Sequence, residues 1–347
     1  MSKIGVIIKS GRKDIMNNKS KAFLISAGAL CGAVAAVSAV SYAVTNKLVE
    51  IALERDSVSD INDMKKAKEQ ISGSEELSEI VEMVNQRSKA LEESGCERIE
   101  ITSYDGISLV GHLKRAEDAK RIIIAMHGWR SCWSFDFACI ADFWAENGCT
   151  VLFVEQRGQG ESGGEYMGFG LIERYDCLEW IKWVNESVSS NLPVYLAGVS
   201  MGAATVLMAT GLELPQNVHG VMADCAFTSP RAIWKHVAEK NLRLSYGVIG
   251  KIANDMCRKR IQMDTDGYST LEALETNKIP VLFVHGTDDS FVPIEMTYEN
   301  YKACKAPRRL LVVPGADHGM SFLVDTDGYK NAVISFWKDF DKTPLDE

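Results

Sequence analysis

The sequence lacks the cysteine and histidine spacings that bind metal ions. It has nine cysteines and six histidines, but it contains no Cys-x-x-Cys pair and no cysteine at a metal-ligand spacing from a histidine. No metal site is therefore expected, and no organic cofactor is expected either. Scattered thiols suit a reducing compartment, and they also suit export in an organism that lives without oxygen. The cysteines leave the compartment open.

The main part of the chain has a deficit of positive charge. Residues 51–347 carry 31 Lys and Arg against 45 Asp and Glu, whereas residues 1–50 carry seven against two. Surfaces that bind the phosphates of nucleic acids are basic, so an acidic body argues against a nucleic-acid partner. The chain is 46% hydrophobic and 24% charged, which is typical of a globular protein with a substantial core.

Charge is absent altogether from Phe23 to Val44, a run of 22 residues. A helix of about 20 apolar residues spans a bilayer, so residues 1–45 are predicted to be a basic N-terminus and a transmembrane signal anchor. The Lys and Arg residues before the run predict a cytoplasmic N-terminus and an extracytoplasmic body. Two alternatives remain: a signal peptide cleaved near Ser38–Ala43, which would give a secreted protein, and a buried Ala-rich helix.

Residues 46–95 have apolar positions at helical spacing, and Ser72-Gly73-Ser74 interrupts the pattern. This pattern predicts one or two amphipathic helices that connect the apolar run to the body and pack on it. A regulatory or docking role is the alternative.

From residue 96 to residue 347 the pattern is that of one α/β domain, in which short apolar strands alternate with helical stretches such as Tyr175–Val184 and Ala203–Leu212. The first two strands read as an antiparallel hairpin, and the last six are near-continuous hydrophobic runs, as in a parallel sheet buried on both faces. We predict a doubly wound, mostly parallel sheet with a helical cap inserted at about residues 228–276. The strands are expected at Arg98–Ser103, Leu109–Lys114, Arg121–Met126, Thr150–Glu155, Val194–Ala197, Val218–Ala223, Val281–Val284 and Leu310–Val313.

The pentapeptide Gly198-Val199-Ser200-Met201-Gly202 lies between an apolar strand and an Ala-rich helix. This is the context of a nucleophile elbow, a sharp turn that exposes a reactive serine. A base for Ser200 must lie within hydrogen-bond reach of it. His318 follows the last strand, so it belongs to the same sheet edge as Ser200, whereas His127 and His285 are interpreted as structural. Ser200 and His318 are therefore the predicted nucleophile and base.

An acid that orients His318 completes this chemistry. The loop after the preceding strand offers two adjacent carboxylates, Asp288 and Asp289, and Asp224 is a third candidate. The chain order of serine, aspartate and histidine suits either member of the pair.

At these motifs the sequence resembles the α/β-hydrolases, and more narrowly the bacterial serine-aminopeptidase-like alpha/beta hydrolases, some of which have an N-terminal membrane segment. The resemblance covers roughly residues 96–340. Met126-His127-Gly128-Trp129 resembles the family's His-Gly-aromatic loop, and residues 155–162 resemble its Asp-x-Arg-Gly-x-Gly-x-Ser turn, with Glu155 in place of the usual Asp. Residues 285–293 resemble its His-Gly-x-x-Asp-x-x-Val-Pro loop, which selects Asp289 over Asp288.

The resemblance implies a catalytic triad of Ser200, Asp289 and His318. It also implies an oxyanion hole made by the backbone N–H groups of Trp129 and Met201. The expected function is a serine hydrolase that cleaves a carboxylic ester or related acyl bond of a small molecule through an acyl-enzyme. An acyl-thioesterase or serine peptidase using the same triad is an alternative. A membrane-tethered binding protein that keeps the fold without the reaction is a further one.

Overall fold

The structure is a computed structural model, and it describes residues 40–57 and 75–341. A single eight-stranded sheet has the strand order β1-β2-β4-β3-β5-β6-β7-β8. Its strands are β1 (Glu97–Thr102), β2 (Ser108–Lys114), β3 (Arg121–Met126), β4 (Cys149–Val154), β5 (Val194–Val199), β6 (Val218–Asp224), β7 (Val281–Gly286) and β8 (Arg308–Val313).

The sheet confirms the predicted topology. β1 and β2 pair as an antiparallel hairpin, β2 is antiparallel to β4, and the remaining pairs are parallel. Each predicted strand forms, with its ends within two residues of the prediction. Every residue of β3 and β4 is buried, which explains why these strands are hydrophobic throughout rather than alternating.

Helices cover both faces of the sheet. Successive residues of β3 point to opposite faces, so Ile122 and Ile124 pack in one core cluster with Trp180 while Ile123 packs in another with Trp337. The helices are α1 (residues 40–53), α2 (Glu75–Glu92), α3 (Trp133–Phe137), α4 (Ala141–Glu146), α5 (Glu173–Ser187), α6 (Met201–Ala209), α7 (Pro230–His236), α8 (Tyr246–Ile261), α9 (Thr270–Thr276), α10 (Ile294–Ala303), α11 (Ser321–Val324) and α12 (Thr326–Phe340).

The segment between β6 and β7 is helical, and it lies where the cap is predicted. It comprises α7, a π-helical turn (Val237–Asn241), α8 and α9. Ile233 and Met256 from this segment are buried in a third cluster with Phe169, Met201 and Phe227. Met201 directly follows the predicted nucleophile, so this cluster extends to the carboxyl edge of the sheet.

Most of the predicted membrane anchor lies outside the described residues. Of Phe23–Val44, only residues 40–44 are described, and they belong to α1. In the parts of the chain that the structure describes, no helix combines the length and the apolar character that crossing a membrane requires. The middle of the predicted connector, residues 58–74, is likewise outside the described residues.

Candidate active site

Ser200 lies at the turn between β5 and α6, as the elbow motif predicts. Its backbone has φ 55° and ψ −116°, a conformation that residues other than glycine rarely adopt. The close packing of strand and helix leaves no room for a Cβ on either side. A Cβ at Gly198 would lie 2.4 Å from Gly202 C, and one at Gly202 would lie 1.8 Å from Met126 O. Both glycines are therefore required by contact with neighbouring backbone.

Ser200, His318 and Asp289 form one continuous chain of hydrogen bonds. His318 Nε2 is 2.9 Å from Ser200 Oγ, and His318 Nδ1 is 2.7 Å from Asp289 Oδ2. With the proton assigned to Nδ1, the imidazole donates to the carboxylate and accepts from the serine hydroxyl. The structure thus brings together the three residues that the sequence selected, and it places them at the ends of β5, β7 and β8.

Hydrogen bonds between the loop that carries Asp289 and the loop that carries His318 hold these two residues in place. Asp317 Oδ1 accepts from the backbone N–H of Ser290 at 2.9 Å and from that of His318 at 2.8 Å. The ring of Phe291 meets the His318 ring edge-on, with the ring centres 5.2 Å apart. The imidazole is therefore fixed by its neighbours as well as by Asp289.

The carboxylate of Asp289 is fully buried and has four hydrogen-bond donors. The backbone N–H groups of Phe291 and Val292 donate to Oδ1 at 2.9 and 2.8 Å. Oδ2 lies 3.1 Å from Nε2 of His285 as well as 2.7 Å from His318. Burial alone raises the pKa of Asp289, but the hydrogen bonds from His285 and His318 outweigh it and leave the pKa well below its usual range. The side chain is therefore a carboxylate, which is the form that the predicted acid requires.

His285, which the sequence indicates to be structural, also contacts the predicted acid, and this contact was not predicted. The ring is completely buried, with Nε2 2.9 Å from Val292 O and Nδ1 2.7 Å from Thr297 Oγ1. Because Val292 O can only accept, Nε2 carries the proton and also points to Asp289. The signal for this contact in the sequence is that His285 lies only four residues before Asp289.

The N–H groups of Met201 and Trp129, which are predicted to form an oxyanion hole, belong to two segments that lie next to Ser200. That of Met201 is the first of helix α6, and a first N–H has no partner within its own helix. Trp129 belongs to the loop after β3, where a Cβ on Gly128 would lie 3.4 Å from Ser200 Cβ. On either side of Trp129 the N–H groups are occupied: Gly128 N donates to Asp136 Oδ2, and Arg130 N to Gln159 Oε1, both at 2.6 Å.

The other two candidate acids have different surroundings. Asp288 is exposed, and its Oδ1 accepts from Thr287 Oγ1 at 2.7 Å. Asp224 is buried beneath the site, where it accepts from Ser321 Oγ at 3.1 Å. Burial raises the pKa of Asp224 to about 6. Neither has a hydrogen bond to His318.

Buried polar groups brace the loop after β4. Glu155 Oε1 is 2.7 Å from His112 Nε2, and its other oxygen accepts from the backbone N–H of Glu161. Arg157 forms a buried ion pair with Asp176 at 2.5 Å and a second ion pair, at 2.8 Å, with the exposed Asp105. Glu155 thus holds the turn through its side chain.

One group of potential metal ligands is present in the described residues. The ligand atoms of Cys225, Asp289 and His318 all lie within 4.8 Å of one another. Asp289 and His318 already hydrogen-bond to each other, and burial raises the pKa of the Cys225 thiol well above its usual value. A metal binds the thiolate, so a neutral buried thiol fits this group poorly. The donor set is better explained as a hydrogen-bonded pair beside a small apolar side chain.

Comparisons with known proteins agree with this architecture. Residues 117–270 match the family model described as "Serine aminopeptidase, S33". The uncharacterized protein YqkD of Bacillus subtilis is 24% identical over 236 residues, which cover 68% of this chain and 77% of YqkD.

Two solved structures share the fold. The esterase Pf2001 of Pyrococcus furiosus superposes with a TM-score of 0.59 at 21% identity, over 71% of this chain and 92% of the esterase. The alpha/beta hydrolase GrgF of a Penicillium species superposes with a TM-score of 0.57 at 18% identity, over 72% of this chain and all of GrgF. At these identities the likeness establishes the fold.

Proposed function

We propose that this chain, which has the α/β-hydrolase fold, is a serine hydrolase that cleaves a carboxylic ester through an acyl-enzyme. The observation that carries the proposal is the unbroken series of hydrogen bonds from Asp289 through His318 to Ser200. A nucleophile, a base and an orienting acid in mutual contact are what acyl transfer requires, and a binding protein has no need of all three.

In the proposed reaction, Ser200 Oγ attacks the carbonyl carbon of the ester and its proton passes to His318 Nε2. The N–H groups of Trp129 and Met201 donate to the oxyanion that forms. Asp289 holds Nδ1 and stabilises the imidazolium. The tetrahedral intermediate collapses when His318 returns the proton to the departing alkoxide. Water then attacks the acyl-enzyme, again with His318 as base, which releases the acid and regenerates Ser200.

The aromatic and aliphatic surroundings of the site support a substrate with a hydrophobic acyl group. Trp129, Trp234 and Phe291 pack on the cluster that contains Met201, together with residues from the predicted cap. The name of the esterase Pf2001 also supports an ester as the substrate class. The description of the family model favours a second candidate, a serine aminopeptidase that uses the same triad.

Steady-state hydrolysis tests the proposal. Purified protein is assayed with p-nitrophenyl esters of increasing chain length and with aminoacyl p-nitroanilides. We expect ester turnover that Ser200→Ala abolishes and that Ser190→Ala leaves intact. Ser190 is an exposed serine in the loop before β5, at the opposite end of that strand from Ser200. Faster turnover of the anilides would favour the peptidase. Ester turnover that persists in Ser200→Ala would contradict the proposed nucleophile.

We also propose that residues 1–45 anchor the protein in a membrane, with the N-terminus in the cytoplasm. The uncharged run and the basic residues before it support this arrangement. Val40, Tyr42 and Val44, at the end of that run, are exposed apolar side chains in the first described turns of α1, as expected at the end of a membrane-embedded segment. Secretion after signal cleavage remains the alternative.

A further inference from the structure

Residues 40–57, which we call the strap, lie against the loop that carries Trp129. The strap consists of α1, a one-residue β-bridge between Glu54 and Tyr166, and a 3-10 turn at Arg55–Ser57. Val49 and Leu53 lie four residues apart on one face of α1 and are only 2% and 1% exposed. Both belong to the cluster that contains Met201, so the strap is part of the core beside the site.

Two consecutive side chains of the loop donate to backbone carbonyls of the strap. Trp129 Nε1 donates to Ala52 O at 2.9 Å. The Arg130 guanidinium donates to Ile51 O from Nε at 2.9 Å and from Nη2 at 2.7 Å, and to Glu54 O from Nη2 at 2.6 Å. The last carbonyls of a helix have no intrahelical partner. Here the planar guanidinium of Arg130 binds Ile51 O, in the last turn of α1, and Glu54 O, directly after the helix.

Arg130 has a strained backbone at this point. Its φ is 51°, in the left-handed region, which costs a residue other than glycine free energy unless the surroundings hold it there. Its N–H is bound by Gln159 and its side chain by the strap. The conformation of the peptide next to Trp129 therefore depends on contacts with residues 51–54.

The strap is itself fixed on two other sides. Met167 N donates to Leu53 O at 2.7 Å, and Arg55 N donates to Glu165 O at 2.9 Å. Arg260 of helix α8 forms an ion pair with Glu54 at 2.8 Å. The carbonyls that Arg130 binds thus belong to a segment held by the body and by the predicted cap.

We propose that the strap is a positioning element of the oxyanion hole and that Arg130 is the positioning residue that connects the two. Through Arg130 and the Trp129 indole, the strap fixes the direction of the Trp129 N–H relative to Ser200. This inference rests on the proposed function, because it concerns a donor to the oxyanion. Loss of one oxyanion-hole donor lowers kcat about 10²- to 10³-fold, so a misdirected donor lowers kcat by part of that factor.

The variant Arg130→Lys tests the connection. A lysine ammonium is a single point charge, and it cannot hold Ile51 O and Glu54 O in the planar geometry of the guanidinium. Arg308→Lys is the matched control, because Arg308 also donates to a carbonyl at a helix end, that of Cys304 after α10, away from Ser200. Rates are normalised to the number of active sites titrated with a fluorophosphonate.

We expect Arg130→Lys to lower kcat per titrated site about tenfold or more, with KM changed by less than about threefold. Affinity for a trifluoromethyl ketone, which forms a tetrahedral adduct with the serine, should fall by the same factor as kcat. A residue that only stabilised the fold would reduce the number of titrated sites without changing either quantity. Arg308→Lys should match the wild type in both.

A second pair of variants tests the same role by changing a residue of the strap itself. Leu53→Ala and Leu91→Ala each truncate a buried leucine side chain, the first in α1 and the second in α2. Both should lower Tm, but only Leu53→Ala should lower kcat per titrated site and the affinity for the ketone. This comparison also covers the case in which Arg130→Lys fails to fold.

The outcomes separate this inference from the proposed function. A wild type that neither turns over esters nor reacts with the fluorophosphonate would contradict the proposed function. An active wild type in which both Arg130→Lys and Leu53→Ala retain full kcat per titrated site would overturn the role of the strap alone. A loss confined to KM would also overturn it, since the strap would then be a wall of the substrate pocket.

Discussion

Three carboxyl groups are candidates for the acid that orients His318, and their surroundings give them different chemistry. Asp289 has four donors and a pKa held below its usual range, whereas burial raises the pKa of Asp224 to about 6. Asp288 is adjacent in sequence to Asp289 but points to solvent. The choice among the three follows from geometry that residue type alone does not reveal.

Asparagine substitutions separate the two adjacent candidates. Asp289→Asn should lower kcat about 10²- to 10⁴-fold with the fold intact, because an amide no longer holds His318 with its proton on Nδ1. Asp288→Asn should keep nearly full activity. The measurement is kcat on a p-nitrophenyl ester, with circular dichroism to check folding. If Asp288→Asn is the impaired variant, the acid is assigned to the wrong residue.

Asp224 makes stability depend on pH. Its pKa is raised from 3.8 to about 6 in the folded chain, so its contribution to stability is complete below pH about 4 and is lost as the pH rises through 6. A shift of two units corresponds to about 3 kcal/mol. Asp224→Asn cannot lose stability in this way. The free energy of unfolding of this variant minus that of the wild type should therefore increase by about 3 kcal/mol from pH 4 to pH 8. Urea unfolding at both pH values measures the difference, and a constant difference would contradict the account.

At the scale of elements, the elbow depends on backbone packing between β5 and α6. A Cβ at Gly202 would overlap the carbonyl of Met126 in β3, and backbone atoms there cannot move aside cheaply. Gly202→Ala should therefore greatly reduce the yield of folded protein or lower its Tm by many degrees. Gly247→Ala is the control, since a Cβ at Gly247 in α8 meets nothing within 4 Å. Equal Tm values for the two variants would show that the close packing at the elbow is not required.

The strands and the order of the site residues could be predicted because their signals are local. Buried parallel strands are continuous hydrophobic runs, and Ser200, Asp289 and His318 each follow such a run. The contacts of the strap have no comparable signal. Arg130 and Ile51 are 79 positions apart, and a guanidinium bound to backbone carbonyls places no demand on the side chain at residue 51. The sequence neighbours of His285 indicate a structural residue at a strand end, but they do not indicate its contact with Asp289.

At the scale of the whole molecule, the placement of the body relative to a membrane is the main prediction. With residues 1–45 as an anchor and the N-terminus in the cytoplasm, protease added to intact cells should degrade residues 96–347. A cytoplasmic protein serves as the control for cell integrity. Protection of the body until the cells are lysed would contradict this orientation, and release of the body into the medium would favour the cleaved signal peptide.

We propose above all that Ser200 is the acylated nucleophile of a working triad. To test this, the full chain is reacted with a fluorophosphonate probe and the modified peptide is mapped by mass spectrometry. We expect one phosphonylated residue, Ser200, no labelling in Ser200→Ala, and much slower labelling in Asp289→Asn. Correctly folded wild-type protein that takes up no probe, or that is labelled at another serine, would contradict it.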